Sequence, residues 1–516
     1  MYIISMSRIF LVFPHQLFKD LEPIQKATVD HIILVEHPVF FGWRDTTKPM
    51  NFNKLKLVLH KASMAYYREY IAKQFRQVHH ITIEDYQKSQ IMPLNTLLKR
   101  LNSKEVIYYD LVDYYLEDRL SELWRSLHIT PTILETPNFI NSTADNEEFK
   151  RFKGKKAWYH ATFYGWQRRH HKILLTDNGK YQGGKLSFDT ENRKPLPKSI
   201  QIPDLPVFRS NKYLVSAIKA VETSFPNNIG NTKNTGHLLY THDMAESALR
   251  DFIRHRLEHF GDYEDAMHTE HRFIFHSVLS SAINIGLLNP LDVVKEVERA
   301  YHEHQSIGIH NVEGFIRQVL GWREFTRLLY RSEYKTMKTL NSFRFKGRLT
   351  SAWYTGTTGL RPVDDTIKQA IDWGYLHHIQ RLMIMGNIMS LVRMDPDEVY
   401  KWFMEFAIDS YDWVMISNVY GMASHSDEGM TTTKPYVSSS NYVLNMSNWR
   451  ADGKWDKTWR QLYYNFVGTL QLPNGDYYFS KNRRTGLAWR NWMRLSRQEQ
   501  DDIKREATKL IGELTS

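Results

Sequence analysis

Two adjacent histidines, His377 and His378, stand in the segment YLHHIQRLMIMGN, one helical turn before Arg381. An imidazole titrates near neutral pH, so a histidine in a site can act as a general acid, and we assign that role to His378. Successive positions of a helix point about 100° apart, so the pair is not expected to chelate one metal ion. The alternative interpretation is a partly buried histidine that bonds a backbone carbonyl.

A second group of polar side chains lies in FHSVLSSAI, where Ser277, Ser280 and Ser281 stand near the start of a predicted helix. Backbone N–H groups and hydroxyls at a helix start can bind a phosphate. Serine is also a common N-cap residue, which is the ordinary explanation of this pattern. Both interpretations stay open from these residues alone.

Tryptophan is concentrated in the second half of the chain, where ten of the 14 lie between Trp322 and Trp492. Tryptophans of a helical domain are usually core residues whose indole N–H has found a partner. Aromatic rings can also stack on a flavin or a nucleobase, or carry an electron. The helical spacing favours a role in the core by about three to one.

The composition excludes several kinds of chemistry. The 516 residues contain no cysteine, which excludes disulfides, thiolate zinc sites, cysteine-ligated iron–sulfur clusters and cysteine nucleophiles. Lys and Arg number 68 against 57 Asp and Glu, and the resulting charge of +11 permits a polyanionic partner such as nucleic acid. No apolar run reaches the roughly 18 residues of a membrane span, and no secretory signal is recognisable, so we expect a cytoplasmic protein without a membrane partner.

Three regions differ in their residue patterns. In residues 1–140, short β-rich segments such as RIFLVF and IILVE alternate with longer helical ones, which predicts an α/β domain with a parallel sheet. Residues 141–238 are rich in charge and proline and predict a long interdomain connector. Its Lys and Arg content would suit a DNA-facing surface, and a solvated linker is the alternative. In residues 239–516, apolar residues recur at three- and four-residue spacing, which predicts a large all-α domain.

Six motifs, in order and spacing, resemble the photolyase/cryptochrome family and its bacterial branch of iron–sulfur-type (6-4) photolyases. They are FDTENRKP (188–195), HFGDYEDAM (259–267), VEGFIRQVLGWREF (312–325), HHIQRLMIMGN (377–387), DSYDWV (409–414), and NVYGMA followed by TKPYVSSSNY (418–442). The agreement is close from residue 243 to 442 and loose in the first 140 residues. The resemblance implies an α/β antenna domain, an interdomain connector and an all-α FAD-binding domain. It also implies a ribityl-lumazine antenna chromophore near Gln16 and Glu36.

The resemblance further implies how FAD and a flipped-out DNA lesion are held. The implied cofactor-binding residues are Ser277 and Ser280 at the phosphates, Arg323 and Arg381 near the flavin, and Asp409 and Asn418 at the isoalloxazine edge. His378 would be the proton donor of (6-4) repair, with His377, Leu382, Met422 and Tyr436 around the lesion. The implied partner is UV-damaged DNA, bound by a monomer.

The absent cysteines are the first departure from the family's pattern. The family has four for a [4Fe–4S] cluster, one in the segment aligned with 359–363 and three after the motif aligned with MSNW at 446–449. Our hypothesis is that Arg361, Pro362 and the tryptophan-rich NWRADGKWDKTW (448–459) replace the cluster as packing. On this hypothesis the protein binds no metal there.

Two further departures concern residues near the flavin. Trp402 matches the family's flavin-proximal tryptophan, but the next position, an aromatic hydroxyl in relatives, is Phe403. Phenylalanine is a poor electron carrier, so we expect photoreduction to depend on Trp402, with Trp353 or another tryptophan as a later relay. Met415 stands where a polar or acidic residue is expected.

The leading hypothesis from the sequence is a light-driven lyase that repairs (6-4) photoproducts in DNA. Reduced FAD would donate the electron and His378 the proton. The alternative is a cryptochrome-like blue-light photoreceptor without repair activity, which Phe403 and Met415 favour. Repair of cyclobutane dimers is the least favoured hypothesis, because that reaction does not need the histidine acid.

Overall fold

The amino-terminal part of the protein is built on a five-stranded parallel sheet of order β3-β2-β1-β4-β5. The computed structural model describes residues 7–43, 49–89, 92–481 and 485–515. The strands are β1 Ser7–Val12, β2 His31–Val35, β3 Val78–Ile81, β4 Ser103–Tyr109 and β5 Thr132–Leu134. In the central strand β1, Ile9 pairs with His31 on one side and with Val106 on the other. Its apolar residues are buried, as expected of a parallel strand that helices cover on both faces.

The helices around this sheet complete the predicted α/β domain. They are α1 Glu22–Lys26, α2 Lys54–Ala72, α3 Ile83–Lys88, α4 Pro93–Arg100 and α5 Tyr114–Leu127, with a 3₁₀ turn at Pro38–Phe41. Four of the five strands coincide with the apolar segments of the sequence, whereas β5 was not predicted. It has only three residues, two of them exposed, so it lacks the apolar run that marks the others.

The segment predicted as a connector contains regular helices. They are α6 Thr143–Lys153, α7 His160–His170 and α8 Lys212–Ser224, with 3₁₀ turns at Gln182–Gly184 and Asp189–Glu191. In α6 and α7, Phe149 packs edge-on against Phe163 at 4.9 Å, an apolar contact that the dense charge of this stretch obscures in the sequence. The Gln167 side chain donates to the Leu320 carbonyl of the helical part at 3.2 Å, and α8 packs against α2. The segment thus contacts both parts, and its boundaries at 140 and 238 stay predictions.

The remainder of the chain is helical, and the predicted fold class is confirmed. The α-helices are α9 His242–His255, α10 Leu257–Phe260, α11 Ser280–Asn284, α12 Pro290–Glu303, α13 Ile309–Ile316, α14 Glu324–Thr339, α15 Ala352–Thr355, α16 Arg361–Trp373, α17 Asn387–Leu391, α18 Pro396–Phe406, α19 Asp412–Ile416, α20 Ser440–Met446, α21 Trp455–Thr469, α22 Tyr478–Lys481, α23 Gly486–Met493 and α24 Arg497–Leu514. One continuous hydrophobic core joins these helices to the sheet. Within the described ranges, no helix is long and apolar enough to cross a lipid bilayer.

Asn53 is a polar link between α2 and the helical part. Its side-chain oxygen caps α2 by accepting from the Leu55 N–H at 2.9 Å. Its amide nitrogen donates to the carbonyls of Ala370 and Ile371, both at 3.1 Å, at the end of α16. Since Asn53 is fully buried, all of these bonds form out of water.

Asn53→Ala is therefore predicted to lower the free energy of unfolding by about 2–3 kcal/mol, because it removes one helix cap and two buried hydrogen bonds. Asn211→Ala is the matched control, because Asn211 caps α8 through the N–H groups of Tyr213 and Leu214. Thermal denaturation should give a larger fall in Tm for Asn53→Ala. Equal shifts for the two variants would contradict the role of Asn53 between the two parts.

Candidate active site

A cavity of about 440 Å³ in the helical part gathers most of the residues that the sequence singled out. Those that line it are Ser277, Ser280, Arg323, His377, His378, Arg381, Leu382, Asp409, Asn418, Met422 and Tyr436. Its volume is in the range of roughly 300–1,000 Å³ that is typical of ligand and cofactor pockets. Trp402 and Trp353 are not part of the lining.

Three short π-helical segments, Arg317–Arg323, Gln380–Gly386 and Ser417–Ala423, supply many of the lining residues. π-Helical turns are rare and are found most often at functional sites. A Cβ on Gly386 would lie 2.9 Å from the Cβ of Ala423, so the glycine lets the second and third segments approach closely. Both segments therefore reach the same cavity. Nothing in the apolar spacing of the sequence distinguishes them from ordinary helix.

Asp409 joins side chains from separate parts of the cavity. Its carboxylate lies 2.8 Å from the Arg381 guanidinium and accepts a hydrogen bond of 2.6 Å from the Ser280 hydroxyl. The Asn284 amide donates to the Asp409 carbonyl at 2.9 Å. This mostly buried ion pair, with further hydrogen bonds, holds Arg381 and Ser280 in fixed positions. The resemblance placed Ser280 at a phosphate and Asp409 at the flavin edge, and in the structure these two side chains bond each other.

The serines of this segment do not cap the helix that follows them. Helix α11 begins at Ser280, its cap position is Leu279, and no side chain caps it. The Ser277 hydroxyl accepts from the Leu279 N–H at 3.4 Å, which is a local turn contact. The N-cap interpretation of Ser277 and Ser280 is therefore wrong.

Arg323 is a buried cation with unused donors. Its Nη2 donates to Asn138 at 3.1 Å, and its guanidinium lies over the rings of Phe139 and Trp413 at 4.4 and 4.9 Å. Its Nε and Nη1 have no hydrogen-bond partner among the described residues, although Nη1 lies 3.5 Å from Glu324. Burial lowers the pKa of Arg323 to about 10, which still leaves it charged at pH 7. Buried cationic donors without partners are costly, so this part of the cavity suits an anionic group such as a diphosphate.

Three histidines of the lining meet closely. One ring nitrogen from each of His276, His377 and His378 lies within 4.8 Å of the others. The two adjacent side chains converge because His377 precedes the first helical turn. The expectation that they do not chelate one metal ion stays a prediction. The rings of His276 and His377 stack at 4.5 Å, and burial, with neighbouring charges, lowers the pKa of both well below the ordinary value. These two are neutral at pH 7, and His276 was not singled out from the sequence.

The pKa of His378 is shifted in the opposite direction from those of its two neighbours. Its side chain is 43% exposed, and its Nε2 lies 3.5 Å from Asp265 and 3.8 Å from Glu264. Loss of hydration disfavours the protonated form. The hydrogen bond to Asp265 and the negative charges of Glu264 and Asp265 outweigh it, so the pKa of His378 is raised. A histidine with a raised pKa keeps its proton to a higher pH than a free imidazole does, and it can serve as a general acid.

Arg317 holds Glu264 within a buried group of charges. Its guanidinium lies 3.2 Å from Glu313, 3.6 Å from Glu264 and 3.1 Å from Asp189. Burial raises the pKa of Glu264 to about 6, so this carboxyl is mostly ionised at pH 7. Glu264 and Asp265 lie in the motif HFGDYEDAM and were not singled out from the sequence. Two adjacent acids inside a family motif were the signal that could have identified them.

The predicted electron carriers lie behind one wall of the cavity. The Trp402 indole donates to the Trp353 carbonyl at 2.9 Å, and the Trp353 indole donates to the Leu514 carbonyl at 2.8 Å. Phe403 lines the cavity, with its ring centroid 5.1 Å from that of Trp402. Electron transfer between Trp402 and a ligand in the cavity would therefore pass beside the Phe403 ring. Met415 also lines the cavity, near the expected flavin.

The two regions that carry cluster cysteines in the family meet at Asp365, two residues after the segment 359–363. The Trp449 indole donates to Asp365 at 2.9 Å, and the Arg361 side chain lies 3.8 Å from the same carboxylate. Trp455 and Trp459 are buried, and each indole donates to a backbone carbonyl at 3.1 Å. These contacts are consistent with the hypothesis that packing replaces the cluster.

The residues expected near an antenna chromophore are buried in the α/β domain. The Gln16 amide donates to the Tyr109 carbonyl at 2.9 Å. Glu36 lies 2.9 Å from the Lys61 ammonium and accepts from the Ile83 N–H at 2.9 Å. The identity and the presence of an antenna chromophore stay predictions.

Comparisons with known proteins agree with this site. Residues 10–237 match the family model described as deoxyribodipyrimidine photo-lyase-related protein, and residues 315–465 match that of the FAD binding domain of DNA photolyase. The chain is 36% identical over 378 residues to a (6-4) photolyase of Agrobacterium fabrum. The aligned residues make up 71% of this chain and 73% of that protein. The chain belongs to the photolyase/cryptochrome family.

Two solved structures share the fold of this family member. A cryptochrome of Synechocystis sp. PCC6803 gives a TM-score of 0.57 at 15% identity, with both chains fully covered. A class III photolyase of Agrobacterium tumefaciens gives 0.57 at 14% identity, with 99% of this chain and 98% of the other covered. Since one is a cryptochrome and the other a photolyase, the fold does not decide between repair and photoreception.

The cavity residues fit the FAD that this domain binds. The unpartnered donors of Arg323 suit a diphosphate, and the Arg381–Asp409 pair places charge where a flavin ring can be polarised. Arg323, Arg381, Asp409 and Asn418 all fall inside the matched FAD-binding region. The individual role of each residue stays a prediction.

Trp402→Phe is predicted to slow light-driven reduction of the bound flavin several-fold, because it removes the oxidisable indole that packs against Phe403. The rate is measured as bleaching of flavin absorbance under blue light with an external reductant. Trp459→Phe is the matched control, since that indole is equally buried and also donates to a backbone carbonyl. An unchanged rate in Trp402→Phe would rule out this route.

Proposed function

We propose that this protein repairs (6-4) pyrimidine–pyrimidone photoproducts in DNA in a reaction driven by blue light. The observation that carries the proposal is His378, an imidazole in the FAD-type cavity with Asp265 and Glu264 within 4 Å. Return of the transferred hydroxyl across this photoproduct needs an acid beside the developing charge. The similarity to a (6-4) photolyase gives further support.

The cofactor would be held by the residues around Arg323 and by those around the Arg381–Asp409 pair. Ser277 would bind the phosphates. The resemblance placed Arg323 near the flavin, but its unpartnered donors suit the phosphates better, so we assign it there too. Arg381, fixed by Asp409, would lie near the flavin, and Asn418 would bond its edge. When bound and photoexcited, reduced FAD supplies the electron to the lesion.

The lesion would enter the cavity beside His378, after leaving the base stack. Leu382, Met422 and Tyr436 offer mainly apolar surface that excludes water from the reacting bases. The Nε2 of His378 faces the carboxylates, so Nδ1 is the atom that would donate the proton. His377, kept neutral by burial, can bond a polar atom of the lesion.

A cryptochrome-like photoreceptor without repair activity is the second candidate. Phe403 and Met415 favour it, because both line the cavity where relatives of the repair type are expected to carry polar groups. Such a protein would bind FAD and respond to blue light without changing a DNA lesion. The two candidates differ in one measurable product, the restored pair of pyrimidines.

The test is repair of a single (6-4) lesion in an oligonucleotide under blue light, with a dark control and a cyclobutane-dimer oligonucleotide alongside. Repair of the (6-4) lesion in the light alone is expected. Reduction of the flavin by light with no repair of either lesion would overturn the proposal in favour of the photoreceptor. Repair of the cyclobutane dimer alone would overturn the (6-4) assignment.

His378→Asn is predicted to abolish repair while leaving FAD bound, because the amide cannot donate a proton as an acid. Loss of repair is measured in the same oligonucleotide assay, and bound FAD by its absorbance after gel filtration. The matched control is His271→Asn, since His271 is exposed and lies outside the cavity lining. Normal repair by His378→Asn would show that His378 is not the general acid.

The pH dependence of repair follows from the direction in which the pKa of His378 is shifted. Repair needs protonated His378, so it should persist below its raised pKa and fall as the pH rises through it. Asp265→Asn removes one of the negative charges that raise the pKa of His378, so the loss of repair should occur at lower pH. Asp262→Asn is the control, since Asp262 pairs instead with Lys194 and His310. Identical pH profiles for the wild type and Asp265→Asn would contradict the role of the carboxylate.

A further inference from the structure

The turn between α6 and α7 forms a basic surface. Residues 150–159, KRFKGKKAWY, contain five cations and no carboxylate, and we name them the basic turn. Arg151, Lys155 and Lys156 are exposed. Lys150 is the one cation of the basic turn with a carboxylate close by among the described residues, Glu147 at 2.7 Å. The positive charge of this surface is therefore largely uncompensated.

Aromatic side chains stand between these cations. Phe152 is 60% exposed and Tyr159 is 50% exposed, which is unusual for rings of this size. Trp158 between them is fixed, because its indole donates to Glu333 at 3.1 Å and the Lys153 ammonium lies 4.2 Å from its ring. Cations interleaved with exposed aromatic rings are typical of surfaces that bind nucleic acid.

The basic turn lies directly beside the cavity. His160, the next residue, stacks on Trp322 with ring centroids 3.7 Å apart and an interplanar angle of 8°. Trp322 lines the cavity. Burial lowers the pKa of His160 to about 3, so this contact is a neutral stack that fixes the turn against the cavity wall.

We propose that the basic turn binds the backbone of duplex DNA next to the lesion. The proposal rests on the proposed function, and it assigns to the connector the binding of DNA that stays stacked while the lesion enters the cavity. Lysine and arginine gain affinity at phosphates by releasing condensed counterions, without reading the base sequence. Phe152 and Tyr159 add apolar surface against the deoxyribose rings. The contribution of the basic turn to affinity should therefore be equal for damaged and undamaged DNA.

The test compares two triple variants of the full-length, FAD-loaded protein. One is Arg151→Ala, Lys155→Ala, Lys156→Ala in the basic turn. The matched control is Lys99→Ala, Arg100→Ala, Lys104→Ala, an exposed set of the same composition around the end of α4 in the α/β domain. Both lower the net charge by three, and equal Tm values confirm that both fold. Binding to an undamaged duplex and to the (6-4) duplex is measured by fluorescence anisotropy over a range of salt concentrations.

The basic-turn variant is expected to bind both duplexes at least about tenfold more weakly near 0.1 M salt. The slope of log Kd against log salt should fall by about 0.9 for each phosphate that the variant no longer neutralises. The control variant should behave as the wild type. Single-turnover repair at saturating protein should be unchanged in both variants, because His378 and the cavity are untouched.

Three results would overturn the proposal. Equal affinities and salt slopes for the two triple variants would show that only net charge matters. Weaker binding of the damaged duplex alone would place the effect in the cavity. Unchanged DNA binding together with loss of binding to a protein partner would assign the surface to protein recognition. If the wild type binds duplex DNA through the basic turn but repairs no lesion, the proposed function fails while this inference stands.

Discussion

The geometry of the site depends on Arg317, a guanidinium that is only 6% exposed and lies among three carboxylates. Asp189 comes from the connector, Glu264 from the segment after α10, and Glu313 from the helix that leads into Arg317. A buried cation must be paired, and removal of one partner leaves the others buried without compensation. The ion pairs of Arg317 therefore hold three parts of the chain at one place.

The same group explains the charge on His378. One guanidinium faces Asp189, Glu264 and Glu313, and Asp265 adds a further carboxylate beside His378. The balance of these charges is negative, which favours the protonated form of His378 and raises its pKa. The two other histidines of the cavity have no such carboxylates close to them among the described residues and stay neutral. The pKa values of neighbouring imidazoles are thus shifted in opposite directions because of their surroundings, not their residue type.

The part of the cavity around Arg323 is positively charged, in contrast to the carboxylates around His378. Its buried donors lack hydrogen-bond partners within the described ranges, while Asp409 neutralises Arg381. A cofactor with an anionic group at Arg323 and a lesion that receives a proton at His378 match the two parts. This arrangement is what a dinucleotide cofactor and a lesion, bound side by side, would require.

Much of the fold could be predicted from the sequence, because long buried strands and amphipathic helices leave clear apolar patterns. Strand β5 and helices α6 and α7 were missed, since a three-residue edge strand and highly charged helices lack such a pattern. The cavity residues were predicted through family motifs rather than from spacing. The roles of His276, Glu264 and Asp265 depend on contacts between distant segments, and no local pattern reports those contacts.

The π-helical segments are a further feature that no local sequence pattern predicts. Their apolar spacing is that of a helix, and the close approach of two of these segments at Gly386 leaves no mark in that spacing. The position of Trp402 behind Phe403 is likewise a property of the packed cavity wall. Sequence identified both residues, but only the structure places Phe403 between Trp402 and the cavity.

The central claim is that Asp265 and Glu264 raise the pKa of His378. The most direct measurement is an NMR titration of the FAD-loaded protein labelled with ¹⁵N-histidine, with the His378 signals identified by their absence in His378→Asn. The account predicts a pKa of His378 above the ordinary value of about 6.5, and a lower value in Asp265→Asn. A pKa below the ordinary value, unaffected by Asp265→Asn, would contradict it.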